Sequence, residues 1–476
     1  MTETKVQEII KEVPVEKVVT QEVVKEVVVE KEVVVEVEKE KVVEVEVETE
    51  RVVTQTVEVE VEKVVTVQSR VSRAEAVNLS VLTHWGSEQS VALWHDILDE
   101  YEAAVPNARI EYQTVPGSQM LTRITTGHAA GNFPDMYHYY NLWTPDFAPT
   151  GFMAEVPTEI KSVIDENWAQ SAIDGASYRG KLWGYPTESN AYLTLYNKRI
   201  FDEAGVDEPP TTWDEMLETA ARTTKSSNGA IEQAGYLWFM ASTSAFIHPW
   251  ISYLWSNGGE YLDPGTLKLR LNEPPAVETA QMGVDMIEQG SVDLAFRPPD
   301  FMSGNVAMFV GANWRGGPLR TGFADGFENV GVGPIPAGPS GTAGVSLAYN
   351  WLWGVDSLTK NSDASWDFLE WVNSPRGPGQ ASPQGEFMST RFNIIPSRLS
   401  DQEALAERLS DDFFRPFIQA IQEGSRPQPI MPGVSEVTDI LHKQLQAVYF
   451  GESEPQAALD KVVEDGNAII EERMQA

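Results

Sequence analysis

Alternating hydrophobic and polar positions, followed by a helical pattern, open the globular part of the chain. The period of two over residues 78–82 predicts a β-strand, and residues 109–114 repeat that pattern. Between them, five apolar residues recur at the spacing of one helix face: Leu93, Trp94, Ile97, Leu98 and Tyr101. This order predicts a β-α-β unit with two parallel strands. Ligands bind beyond the carboxyl ends of such strands, which here is the loop 84–89.

The stretch 181–216 carries two strand patterns and two helix starts. An extended apolar run ends at Pro186, a polar crossing follows, and residues 192–196 alternate with a period of two. A short helix then ends at Gly205. Thr212, with Glu215 three residues later, has the capping-box pattern that begins the next helix.

Strand and helix patterns continue to alternate through the remainder of the chain. Strand patterns recur at 134–141 and 306–310, and helix patterns at 365–371, 432–451 and 455–470. An alternation of this kind predicts the α/β class.

Residues 1–68 form a low-complexity segment of Val, Glu and Lys in which short pieces recur, for example VEKVVTQ at 15–21 and TERVVTQ at 49–55. The segment has no Gly, Trp or Asp. Valine disfavours an isolated helix, and the spacing of the valine pairs is neither a heptad nor a clean alternation. We interpret the segment as a stalk or linker. A coiled-coil or β-type self-association module remains the alternative.

Charge and cysteine content exclude several classes of protein. The chain has 71 acidic and 35 basic residues, a net charge of −36, which argues against nucleic acid and anionic lipid as partners. The absence of cysteine excludes disulfides, thiolate metal sites and cysteine nucleophiles. No window reaches 18 uninterrupted apolar residues, so we expect no transmembrane helix.

Motifs for catalysis and cofactors are lacking in the sequence. None of the six histidines has ligand spacing, and neither a nucleophile elbow nor a phosphate-binding loop occurs. We therefore predict no metal site, no cofactor and no catalytic residue. Glu88 and Glu188 both lie in predicted loops that cross between elements, and they are the one carboxylate pair to test for glycoside hydrolysis.

Several motifs together resemble the family-1 extracellular solute-binding proteins of ABC importers, which are similar to maltose-binding protein. The stretch 181–216 resembles the family's hinge, and GNFPDMYHYYN at 131–141 resembles its Gly-x-x-Pro-Asp strand. FMSGNVAMFVGANW at 301–314 matches a further signature of the family. The resemblance runs from about Val77 to the C-terminus, roughly four-fifths of the chain. It departs at 348–350, where Ala-Tyr-Asn replaces the usual Gly-Gly pair, so the identity of the sugar does not carry over.

The resemblance implies a two-lobe α/β structure of the periplasmic-binding-protein type II fold, with a hinge that the chain crosses several times. Lobe one would comprise residues 77–186 and 348–391. Lobe two would comprise residues 190–344 and 396–476, and the stalk 1–68 would precede both.

The resemblance also implies the function: capture of a sugar or related small polar solute between the lobes, and delivery to the permease subunits of an ABC transporter. No reaction is expected. The location would be extracytoplasmic, with membrane contact only through an anchor that this sequence lacks. The first twelve residues do not resemble a signal peptide, so either the export signal was removed, the start is not the natural one, or the protein is cytoplasmic. A glycoside hydrolase and a stalked surface interaction protein remain the alternatives.

The candidate ligand-binding residues lie at the ends of predicted strands or in crossing loops. Aromatic rings stack on sugar faces, while Asn, Glu and His side chains bond to hydroxyls. The candidates are Trp314, Tyr139, Asn141, His84, Trp85, Glu88, Glu188, Asn190, His248, Trp250, Asn313, Asn350 and Trp351.

Overall fold

The computed structural model describes residues 76–241, 243–423 and 425–475. The predicted stalk, residues 1–68, lies outside the described residues and stays a prediction. Within these three ranges, no helix is both long and apolar enough to cross a bilayer.

The described residues form strands and helices in alternation. The strands are β1 (Val77–Thr83), β2 (Ala108–Thr114), β3 (Met136–Tyr140), β4 (Ser177–Tyr178), β5 (Lys181–Leu182), β6 (Tyr185–Pro186), β7 (Glu188–Asn197), β8 (Lys225–Ser227), β9 (Ala230–Tyr236), β10 (Leu262–Asp263), β11 (Lys268–Leu269), β12 (Val306–Ala312), β13 (Val330–Gly333), β14 (Ser346–Tyr349), β15 (Trp351–Val355), β16 (Ile395–Pro396) and β17 (Ser425–Pro427). The α-helices are α1 (Glu88–Ala104), α2 (Gly117–Ala129), α3 (Thr144–Phe147), α4 (Thr158–Asn167), α5 (Gln170–Gly175), α6 (Lys198–Ala204), α7 (Trp213–Thr223), α8 (Thr243–Ser256), α9 (Pro274–Glu288), α10 (Pro298–Met302), α11 (Gly316–Gly322), α12 (Ser362–Val372), α13 (Pro383–Phe387), α14 (Leu399–Ala404), α15 (Ala406–Leu409), α16 (Phe414–Glu423), α17 (Val434–Tyr449) and α18 (Pro455–Gln475).

The first sheet has five strands in the order β2-β1-β3-β15-β6. β1 pairs in parallel with β2 and with β3, which confirms the predicted β-α-β unit. β15 returns antiparallel to β3 and β6. The helices on this sheet bury one aromatic core, whose largest members include Trp94, Tyr137 and Trp353.

The second sheet is organised on β7, which has ten residues. β7 pairs antiparallel with β12, β13, β14 and β16, so four segments of the chain meet on it. Successive side chains of a strand point to opposite faces. Leu193 and Leu195 therefore enter one core, whereas Tyr192 and Tyr196 pack on the other.

The chain crosses between the two sheets at short junctions. Thr187 joins β6 of the first sheet to β7 of the second, and Asn350 joins β14 of the second sheet to β15 of the first. The capping box at Thr212 and Glu215 forms as predicted. Gly205 ends α6 at φ 67°, the left-handed conformation that glycine adopts without steric cost.

Candidate ligand-binding cleft

Strand ends of the two sheets meet across a cleft lined by aromatic rings. Tyr140, the last residue of β3, places its hydroxyl 2.8 Å from Nε2 of His248 on α8. Nδ1 of the same histidine lies 3.0 Å from the hydroxyl of Tyr192 on β7. A chain of hydrogen bonds therefore links the first sheet to the second through His248.

The first-sheet side of the cleft is a group of stacked rings. His84 follows the carboxyl end of β1, and its ring centroid lies 4.1 Å from that of Trp351. Trp351 pairs with Tyr140 in the sheet, and the ring of Trp143 meets it edge-on at 5.6 Å. Trp351 and Trp143 are both partly exposed, so each still presents ring surface.

The second-sheet side is built by the turn that follows β12. Trp314 lies in the short 3₁₀ turn Asn313–Arg315 and packs against core residues of both sheets. The Tyr349 side chain lies near its indole. A small hollow adjoins this turn, and its lining includes Trp314, Arg315, Tyr192, Phe239, Pro249 and Pro298.

A buried polar network lies at the first crossing between the sheets. The Thr187 hydroxyl is 2.8 Å from Oε2 of Glu188 and 2.9 Å from Nε2 of His138. Asn190 donates to the other carboxyl oxygen of Glu188 at 3.3 Å. Burial raises the pKa of Glu188 to about 7 and holds the pKa of His138 well below its usual value. His138 is therefore neutral at pH 7, and Thr187 joins it to a carboxyl that holds its proton to a higher pH than usual.

The four predicted asparagines have different roles. Asn313 accepts from the Ala191 backbone N–H at 3.0 Å, and Asn350 donates to the Ala172 carbonyl at 2.9 Å. Asn313 therefore ties the end of β12 to β7, and Asn350 ties the second crossing to α5. The side-chain oxygens of Asn141 and Asn190 have no hydrogen-bond partner among the described residues, although both are buried.

Four predicted residues lie away from the cleft surface. Tyr139 and Trp250 are fully buried in the cores. Tyr139 precedes Tyr140 on a strand, and Trp250 lies two positions beyond His248 on a helix. Each side chain therefore points in a different direction from its neighbour at the cleft. The structure places these two rings in packing positions. Trp85 packs between Trp94 and Trp353. Glu88 is exposed at the start of α1, whereas Glu188 is buried.

The cleft also contains residues that the sequence alone did not single out. They share a position beside a predicted residue, on a strand or in a turn: Tyr140, Tyr192, Tyr349, Arg315, His138 and Thr187. The sequence signal for Tyr140 was its place at a strand end. The sequence carried no signal for Tyr192, because strand pairing decides which face of β7 reaches the cleft. Among the described residues, no group of three or more His, Asp or Glu side chains is placed to hold a metal ion.

The buried His248 predicts acid lability. Burial lowers its pKa to about 3, whereas the unfolded chain binds a proton near pH 6.5. Unfolding therefore takes up a proton below that pH, and stability falls as the pH falls. At pH 5 the loss from His248 is about 2 kcal/mol relative to pH 7. Urea denaturation at pH 7 and at pH 5 measures the effect. The fall in the free energy of unfolding between these pH values is expected to be about 2 kcal/mol smaller for His248→Gln than for the unsubstituted protein.

The matched control is His95→Gln, which removes an exposed imidazole from α1. It is expected to leave the drop between pH 7 and pH 5 unchanged. Glu188 acts in the opposite direction, because its raised pKa makes stability fall as the pH rises from about 4.5 to 7. An equal drop for His248→Gln and the unsubstituted protein would contradict the prediction.

Comparison with known proteins identifies relatives that match most of this chain. The sequence model of the family described as bacterial extracellular solute-binding protein matches residues 85–377. A putative binding protein of Brucella abortus (strain 2308) is 24% identical over 420 residues, which are 85% of this chain and 96% of the relative. The sn-glycerol-3-phosphate-binding periplasmic protein of Agrobacterium fabrum is 26% identical over 317 residues, which are 62% of this chain and 68% of the relative.

A solved structure shares the architecture at low sequence identity. The GacH receptor of Streptomyces glaucescens, solved unliganded and with acarbose, superposes with a TM-score of 0.71 at 21% identity. The match covers 83% of this chain and 99% of the receptor. It confirms the predicted two-lobe α/β fold.

Proposed function

Because this chain belongs to the bacterial extracellular solute-binding protein family, we propose that it captures a small polyhydroxylated solute between its two sheets and delivers it to an ABC permease. The solute class is a sugar or polyol. Two relatives support this solute class, since one is named for binding sn-glycerol 3-phosphate and the GacH receptor was solved with acarbose.

The observation that carries the proposal is the position of Trp314. It is partly exposed and packs against core residues of both sheets, so a solute that contacts it lies between them. An indole face stacks on the C–H face of a sugar ring, and the nearby hydroxyls of Tyr192 and Tyr349 serve as donors to solute oxygens. Burial raises the pKa of both tyrosines, which keeps their hydroxyls protonated.

We propose that the two sheets are the cores of two lobes that close on the solute. The proposed lobes are residues 77–186 with 348–391, and residues 190–344 with 396–476. The sheet pairing supports this division, although the second crossing lies at Asn350, slightly beyond the boundary at 348. The hydrogen bond between Tyr140 and His248 would then form on closure and break on opening.

The partner and location follow from the family. Extracellular solute-binding proteins act outside the cytoplasm, and we propose that the closed lobes are recognised by permease subunits. We propose that the protein is anchored at the membrane. We propose binding without a reaction, since the named relatives are binding proteins.

Titration calorimetry and small-angle scattering on the full chain test the proposal. A panel of sugars, polyols and peptides should contain at least one polyhydroxylated solute that binds. The radius of gyration should decrease at saturation, because closure buries the solute. Binding with an unchanged scattering profile would contradict closure. Turnover of a glycan, lost in Glu188→Gln, would favour the hydrolase alternative.

A further inference from the structure

Arg315 carries a guanidinium at the turn that follows β12. It ends the 3₁₀ turn Asn313–Arg315 after β12, and it lines the hollow beside that turn. The guanidinium carbon lies 4.3 Å from the centroid of the Trp314 ring and 5.9 Å from that of Phe309. The side chain is therefore held against the indole of Trp314, the ring to which the proposed function assigns contact with the solute.

Arg315 has no acidic partner among the residues that the structure describes. Several other arginines pair with carboxylates, as Arg199 does with Asp325 at 2.9 Å and Arg426 does with Glu260 at 2.6 Å. The groups that act electrostatically on Arg315 are the hydroxyls of Tyr192 and Tyr349, which are neutral because burial raises the pKa of both.

An unpaired cation in this position destabilises the folded, ligand-free protein. Arginine stays charged inside proteins, and burial disfavours the charge unless an anion neutralises it. Burial lowers the pKa of Arg315, in keeping with the absence of a carboxylate beside it. Stacking on Trp314 offsets part of the cost, since cations are attracted to an indole face. The remainder is offset if the solute itself brings a negative charge.

We propose that Arg315 is an anion subsite, and that the solute is a polyol or sugar carrying a carboxylate or phosphate group. The guanidinium presents parallel N–H donors that match two oxygens of such a group. The hydroxyls of Tyr192 and Tyr349 donate to the same group or to a neighbouring oxygen, while Trp314 stacks on the carbon skeleton. This inference rests on the proposed solute-binding function.

Titration calorimetry with charged and uncharged probes tests the subsite. The probes are glycerol 3-phosphate and galacturonate, each beside its uncharged counterpart, glycerol and galactose. At least one charged probe is expected to bind more tightly than its counterpart. Arg315→Gln should weaken that probe by about 10- to 150-fold, the range for a hydrogen bond to a charged group. The two charged probes decide between phosphate and carboxylate.

Two further variants separate charge from structure. Arg315→Lys keeps the charge but loses the fork of donors, so it should recover part of the affinity. Arg320→Gln removes an arginine of α11 that pairs with Asp411, and it should leave the affinity unchanged. The ligand-free melting temperature of Arg315→Gln should stay the same or rise, because the variant removes an unpaired, partly buried charge.

Specific results would overturn the inference. Equal affinity for charged and uncharged probes would overturn the anion subsite and leave solute binding intact. A charge preference that survives Arg315→Gln would place the anion elsewhere. A fall in the ligand-free melting temperature with no change in affinity would make Arg315 a structural residue. If none of the four probes binds and the wider panel of sugars and polyols also fails, both the subsite and the proposed function fall.

Discussion

Trp353→Ala is expected to lower the free energy of unfolding by about 3–5 kcal/mol, the cost of deleting a large aromatic side chain from a core. The ring of Trp353 has no exposed surface and meets the rings of Trp85 and Trp94 nearly perpendicularly, with centroids 5.6 and 5.5 Å away. Its indole N–H donates to Oε1 of Gln384 at 2.8 Å, so the variant also leaves a buried amide without its donor. Urea denaturation at pH 7 measures the loss.

Two control variants show which part of Trp353 matters. Trp353→Phe keeps an aromatic ring but loses the hydrogen bond to Gln384, so we expect a smaller loss than for alanine. Trp371→Ala removes a partly exposed tryptophan from α12 and should cost less than Trp353→Ala, because less buried surface is lost. A loss at Trp353 no larger than the loss at Trp371 would contradict the packing described for the first sheet.

Trp314→Ala is expected to weaken solute binding by about 2–4 kcal/mol, which is ~30- to 900-fold in Kd, the range for an aromatic anchor at a binding site. The reason is the position of the partly exposed ring between the cores of the two sheets. Calorimetric titration with the tightest-binding solute of the panel measures the change.

The ligand-free melting temperature separates binding from stability for this variant. Trp314→Phe should recover part of the affinity, since a smaller ring still offers a face for stacking. Trp371→Ala again serves as the control, and its affinity should match that of the unsubstituted protein. Unchanged affinity in Trp314→Ala together with a much lower melting temperature would assign Trp314 to the core.

Elements with local patterns could be predicted from the sequence. The β1-α1-β2 unit follows from one strand period, one helix period and the proline at 106. The capping box of α7 needs only Thr212 and Glu215, three residues apart. These features depend on neighbours along the chain, so a single sequence contains them.

The cleft could be predicted only in part, because its composition depends on contacts between distant segments. The expectation that ligands bind at strand ends led to His84, Trp314 and Trp351, which the structure places at the cleft. It could not tell Tyr139 from Tyr140, since the partner strand decides which side chain faces the core. The unpaired state of Arg315 was also beyond prediction, because it depends on which carboxylates the fold brings near.

The position of β7 has a consequence for how the chain folds. Its partners β14 and β16 are paired at Ala191 and Ser189, with segments that follow on the order of 150–200 residues later. Contacts of such high sequence separation slow folding, because the entropy of closing the loop is lost before the contact stabilises anything. During synthesis, β7 at the centre of the second sheet therefore remains unpaired until most of the chain has been made. Until then its apolar residues are open to mispairing, which makes β7 the segment on which productive folding and aggregation compete.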